Sequence, residues 1–176
     1  MERAELLETN SSEMLHGEHI ILRLTYISRY SNQNENGEVT RILAQAQENN
    51  ARNGITGALV FNHNYFLQSI EGARPVINNL LRKLTKDDRH SSLQVIECCE
   101  IDQRRWNKWT MNYLIPSEMN KEHALKFSTG TEFNPYLMSR AQIMMLIETL
   151  TTLQEKEQKE KEVAESKTKK SWFSIS

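Results

Sequence analysis

Two amides stand where the pattern of this sequence calls for apolar side chains, and that conflict constrains the chain more than any other feature. A helical stripe of Val39, Ile42, Leu43 and Ala46, at spacings of three, four and seven, continues by three or four residues to Asn49 and Asn50. The helix therefore turns asparagine toward its core. Asn53-Gly54 stops it, and Ile55, Gly57, Leu59 and Phe61 then read as one face of a strand. A tight Asn62-His63-Asn64 connection returns the chain as a second strand in which Phe66, Gln68 and Ile70 share a face. Gln68 is thus an amide between apolar neighbours. A buried amide left without partners costs about 1–3 kcal/mol. One such side chain ordinarily satisfies nearby backbone groups. Amides directed at one place also offer donors and acceptors to the edge of a planar polar ligand. A phenol joins them from the preceding strand, where Tyr26 shares a face with Leu22 and Leu24.

The remaining elements follow from the same periodicities. The first strand covers about Ile20 to Ser28, a polar loop runs from Tyr30 to Gly37, and the first helix starts near Glu38. After the hairpin, Pro75 sits early in a second helix whose Ile77, Leu80, Leu81 and Leu84 form one stripe. Lys83 and Lys86 suit its last turn. Asp87 to Ser92 form a turn, and Leu93 to Ile101 read as a fourth strand with Leu93, Val95 and Cys99 on one side. A fifth strand from about Trp109 to Ile115 places Trp109, Met111 and Tyr113 on one face. This order predicts an α+β fold, a ferredoxin-like βαββαββ arrangement with one five-stranded mixed sheet and two helices on one face. Glu118 to Lys126 suggest a short helix, and Asn134-Pro135 a cap with proline at the first position of a longer one. Its Ile143, Leu146, Ile147, Leu150 and Leu153 keep helical spacing, which lets the C-terminal helices cover the other face of the sheet.

Composition narrows the class. In 176 residues, 38% are hydrophobic and 26% charged, with a formal net charge of -1, so nothing suggests disorder throughout or a claim on nucleic acid. The two cysteines, Cys98 and Cys99, are adjacent and are read as reduced thiols without metal-ligand spacing. Residues 1–18 form an acidic leader that lacks the apolar core of a signal peptide, and no stretch is long and apolar enough to span a membrane, so a cytoplasmic protein is expected. His16 and His19 have no further ligand near and are given no metal role. The domain covers 19–116, a helical extension 117–153, and a charged tail 154–176, read either as a solvated helix extension or as a flexible segment ending in Trp172-Phe173.

Five stretches in order resemble a BLUF domain, the blue-light sensor module that uses FAD. They are Leu24-Thr25-Tyr26-Ile27-Ser28, Asn49 to Gly57, Phe66-Leu67-Gln68-Ser69-Ile70-Glu71-Gly72, Asp88-Arg89-His90, and Trp109-Thr110-Met111, together spanning a little over half of the chain. The resemblance implies an FAD ring held between the two helices over the sheet. It implies that Tyr26 gives an electron and then a proton toward the excited flavin, and that Gln68, between phenol and ring, rotates or tautomerises to reverse its hydrogen-bond pattern. The flavin C4 carbonyl then gains a stronger hydrogen bond and absorption moves slightly to the red. By the same resemblance Asn49 and Asn50 hold the pyrimidine edge, Arg52, Arg89 and His90 contact the ring or the ribityl-phosphate tail, and Trp109 and Met111 carry the change into the fifth strand.

Family members often attach a cyclase or cyclic-dinucleotide enzyme to this module, and 176 residues are too few to hold either. The expected output is therefore not catalysis but a change in homo-oligomer contacts or in binding to a separate effector protein. Two other readings stay open on the residues alone. One is a flavin-free interaction module, in which Tyr26 and Gln68 are ordinary buried polar groups. The other is an acylphosphatase-like enzyme, disfavoured because the loop from Tyr30 to Gly37 has one glycine and no arginine with which to bind an anion.

Overall fold

Gly54 decides where the first helix ends. Its φ of +62° is the left-handed conformation that closes a helix, and the Gly54 and Ile55 N–H groups reach back to the carbonyls of Ala51 (3.0 Å) and Asn50 (2.9 Å). This turn satisfies the last carbonyls and aims the chain into the sheet. The computed structural model describes residues 19–31, 38–62, 64–106, 111–114 and 133–173. The expectations for residues 1–18, most of the loop after Tyr30, His63, Trp109 and a helix from Glu118 to Lys126 lie outside them. In order come β1 (Ile21–Tyr30), α1 (Glu38–Arg52), β2 (Thr56–Phe61), β3 (Tyr65–Ala73), α2 (Arg74–Leu84), β4 (His90–Ile101), β5 (Met111–Leu114), a 3-10 turn at Pro135–Leu137 and α3 (Arg140–Phe173).

The strands form one sheet in the order β4-β1-β3-β2-β5. Its first four are antiparallel, and the short β5 lies parallel to β2, with Gly57 opposite Met111. The hairpin between β2 and β3 is fixed by Asn62, whose Oδ1 accepts the N–H groups of Asn64 (3.1 Å) and Tyr65 (2.7 Å). Strand alternation divides the core. Leu22, Leu24, Tyr26, Leu59, Phe66 and Ile70 pack under the two helices, with Ile77 of α2 buried among them. Ile27, Ala58, Val60 and Leu67 face the other way and meet Ile143, Leu146, Ile147 and Leu150 of α3.

Two details depart from the sequence pattern, and a third decides between two expectations for the charged tail. In β4 the pairing shifts between Thr25 and Tyr26, which face Glu97 and Val95, so Ile96 is an extra residue. After this bulge Ile96 and Glu97 both turn to the α3 side, Glu97 pairing with Arg140. Cys99 then follows Glu97 onto that side, opposite to Leu93, and Val95 is 46% exposed. Leu93, Val95 and Cys99 therefore do not form one buried face. The long helix starts at Arg140, later than Pro135. Asn134 and Pro135 make only the 3-10 turn, and Ser139 caps the helix, exchanging hydrogen bonds with Gln142 at 2.7 and 3.3 Å. Finally, α3 runs through residue 154 without a break, so the charged stretch as far as Phe173 is helical. Among the described residues no helix is long and apolar enough to cross a membrane.

Gly57 gives a test of the β2–β3 packing, because a Cβ there would lie near the Ser69 carbonyl oxygen and 3.0 Å from Ile70 Cα, both backbone atoms. Gly57→Ala should lower stability by about 1–3 kcal/mol, the usual cost of forced overpacking. Urea unfolding reads this as a lower midpoint at constant slope, and an unchanged midpoint would show that the strands separate freely.

Candidate functional site

Helices α1 and α2 lie on the same face of the sheet and leave between them a cavity of about 550 Å³. The end of α1, fixed by the Gly54 turn, brings Asn49 and Asn50 to its wall, and Asn50 is only 8% exposed. Strands β1 and β3 supply the floor. Their register sets Tyr26 opposite Gln68, both on the helix side, and the Tyr26 hydroxyl donates a hydrogen bond to Gln68 Oε1. Phe66 from β3, Ile55 just before β2, and Val76 and Leu80 from α2 give the cavity apolar walls. The whole is a slot with amides at one end and a phenol–amide pair at its base.

The electrostatics of this slot keep protons where they are. Burial holds the Tyr26 phenol well above its ordinary pKa, and the negative charge of Asp87 adds to the effect. The phenol is a firm hydrogen-bond donor at neutral pH. Asp87 itself is held below the ordinary carboxylate value, chiefly by the Arg89 side chain, whose Nε and Nη2 lie 2.8 and 2.6 Å from its oxygens. Burial depresses His90, with the nearby Arg89 adding and Asp87 opposing. Its Nδ1 is 2.7 Å from Ser28 Oγ and its ring lies 4.9 Å from that of Phe66, so a neutral imidazole closes one side of the slot.

Of the residues singled out in the sequence, Tyr26, Asn49, Asn50, Gln68, Arg89 and His90 meet in this one cavity. Arg52 does not. It comes two residues after Asn50, about 200° round α1, is 71% exposed and pairs with Glu48, as a basic residue in a last helical turn commonly does. Met111 is described only through its backbone pairing in β5, beside Gly57. Sequence reasoning missed Gln45, Asn79 and Lys83, which also line the cavity. The signal was present in the spacing: Gln45 lies four residues before Asn49, and Lys83 four after Asn79, so each pair shares a helix face. Among the described residues no cluster of His, Cys, Asp and Glu has the makings of a metal site.

Comparison with known proteins converges on one family. The model named BLUF, described as sensors of blue-light using FAD, matches residues 21–112. The photoactivated adenylate cyclase subunit beta of Euglena longa is 29% identical over 96 residues, covering 54% of this chain and 11% of that protein. The alpha subunit of Euglena gracilis is 31% identical over 94 residues, covering 53% and 9%. This chain therefore spans only about a tenth of the length of these curated relatives. Among solved structures, BlsA in its ground state is 30% identical with a TM-score of 0.66, over 74% of this chain and 87% of that one. The dark-state structure of BlrB, described as a BLUF protein, is 28% identical with a TM-score of 0.55, over 61% and 80%.

The depressed His90 makes stability pH-dependent. The folded state protonates less readily than an unfolded chain, whose histidine titrates near 6.5, so the contribution is complete above that value and is lost as pH falls below it. Between about pH 7.5 and 5.5 the urea midpoint of the wild type should fall more than that of His90→Gln. Asp87, depressed from 3.8, acts only at more acid pH. Equal slopes for both proteins would contradict the assignment.

Proposed function

Because the chain belongs to the BLUF family, the sensors of blue light using FAD, we propose that it is a flavin photoreceptor with Tyr26 and Gln68 as its switch. The observation that carries this reading is the buried Tyr26 hydroxyl donating to Gln68 at the base of the cleft. The residues present fit a flavin. Apolar walls suit a planar ring, the amides of Asn49, Asn50 and Gln68 suit its polar edge, and Lys83 supplies positive charge for a phosphate-bearing tail such as that of FAD, with Arg89 beside it paired to Asp87. When bound, the cofactor supplies absorption of blue light and an excited state able to oxidise a nearby phenol.

The chain's own groups then do the rest. In the dark, burial keeps the proton on Tyr26. Loss of an electron makes that phenol strongly acidic, and its proton leaves along the hydrogen bond toward Gln68. An amide has a donor end and an acceptor end in nearly the same volume, so Gln68 can settle with its pattern reversed when electron and proton return to Tyr26. No net oxidation remains, and no substrate is turned over. Asn49 and Asn50 fix the register of the ring so that Gln68 meets the same atoms in each cycle, and closure by His90 keeps water out. From the floor of the cleft the change passes to β5, and Met111 there, with Trp109 outside the described residues, carries it onward to a homo-oligomer contact or to a separate effector in the cytoplasm. Adjacency of Met111 to Gly57 supports that route.

Purified protein should be yellow, and its absorption should move slightly to the red in blue light and return in darkness. Tyr26→Phe and Gln68→Leu should bind flavin yet lose the shift. Asn50→Ala should keep the shift but weaken flavin binding roughly tenfold, the loss of one or so hydrogen bonds. A colourless protein that does not take up FAD would leave a flavin-free interaction module.

A further inference from the structure

We propose that Glu71 and Arg105 form a two-step clasp through which strand β3 sets how firmly α3 is held, an inference that rests on the photoreceptor reading. Glu71 lies three residues after Gln68 on the same strand, so alternation sends Gln68 into the cleft and Glu71 to the α3 side. It is a carboxylate with no exposure, and each of its oxygens is claimed. Oε1 accepts from Arg23 Nε (2.9 Å) and Nη2 (2.7 Å), its cross-strand partner on β1. Oε2 accepts the backbone N–H of Arg105 at 2.8 Å. The backbone carbonyl of Glu71 accepts from Arg104 Nη1 at 2.9 Å, and the same nitrogen reaches Thr56 Oγ1 at 3.0 Å. One residue of β3 thereby positions the irregular connection that leads from β4 toward β5.

The second step crosses to the helix. Arg105 directs its side chain outward to α3, with Nε 3.0 and 3.1 Å from the two Glu148 oxygens and Nη1 3.0 Å from Glu155. Glu148 and Glu155 are seven residues apart, two turns of one helix face, so a single guanidinium spans them. The two steps differ in kind. The inner one is buried and charge-assisted, hence firm, while Glu148 and Glu155 are 57% and 44% exposed, so the outer one is weak and easily released. Beside it the packing is not fully satisfied. Buried Trp106 Nε1, Thr151 Oγ1 and Gln154 Oε1 have no hydrogen-bond partner among the described residues. One belongs to the connection and two to the stretch of α3 that Arg105 spans. A contact built this way yields to a small displacement of β3, which the Gln68 switch would supply. Glu71 and Arg105 act as positioning residues; neither lines the cleft.

The outer step is the one to test, since Glu71→Gln risks the fold. Amide hydrogen exchange of the full, flavin-loaded chain is measured in darkness and under blue light for wild type, Arg105→Gln, Arg105→Lys and the pair Glu148→Gln with Glu155→Gln. In wild type, light should speed exchange over residues 146–156 by about threefold or more, the scale of losing exposed ion pairs. Arg105→Gln and the glutamate pair should exchange at the faster rate already in darkness, with a light-to-dark ratio near one, and should keep the red shift of absorption. Arg105→Lys, which retains the charge, should restore part of the difference. A wild-type ratio in Arg105→Gln, or an intact red shift with no light response in this helix, overturns the clasp. Absence of the red shift in wild type overturns the photoreceptor reading and the clasp with it.

Discussion

A phenol buried on a central strand needs an acceptor for its hydroxyl, and in this fold it donates a hydrogen bond to the amide oxygen of Gln68 on the adjacent strand while keeping its proton. The bond depends on one register, Tyr26 opposite Gln68, and a slip of one strand by one residue would put the two side chains on opposite faces of the sheet. That register is held from below as well. The neighbouring pair, Thr25 and Ser69, points the other way and shares a hydrogen bond of 2.9 Å between two fully buried hydroxyls. Polar pairs on successive rungs thus pin β1 to β3, and the amide-lined slot is built on top of them.

The sheet separates two kinds of contact. On the cleft side, groups are held by burial and by charge-assisted hydrogen bonds, which suits a site that must present the same geometry to a ligand each time. On the far side α3 is anchored by Ile143, Leu146, Ile147 and Leu150, each at most 2% exposed, and burying a side chain of this type is worth about 1.5–3 kcal/mol. Ion pairs at its surface add little by comparison, up to about 1 kcal/mol each. The apolar stripe therefore decides that α3 stays on the sheet, while the charged contacts past Ile147 decide how its outer half sits. Under the proposed clasp, stability and responsiveness reside in different residues of one helix.

How much of this was readable beforehand depended on whether a signal was local. The strands and first two helices followed from period and from turn chemistry: Gly54 for the end of α1, Asn62 for the hairpin, Pro75 for the start of α2. Tyr26, Asn50 and Gln68 stood out because each is a polar group on an otherwise apolar face, a conflict visible within a few residues. The bulge at Ile96 was not visible, since an inserted residue alters the partner's register without altering the strand's composition. The role of Glu71 was hidden for a similar reason. Its partners, Arg23 and the backbone of Arg105, are distant in sequence, and only the sheet brings them together. Arg52 shows the converse error: it sits two residues from Asn50 in sequence, yet the helix carries it around to solvent.

The proposed switch depends on the Gln68 amide reversing its hydrogen bonding toward a flavin held in the cleft. Light-minus-dark infrared spectroscopy of the flavin-loaded wild type observes this directly through the stretching band of the flavin C4 carbonyl. If the amide reverses, that band moves to lower frequency on illumination, returns in darkness, and does not move in Gln68→Leu. A band that stays in place while the visible spectrum shifts would exclude this reversal, because the colour change would then arise without a new hydrogen bond from Gln68.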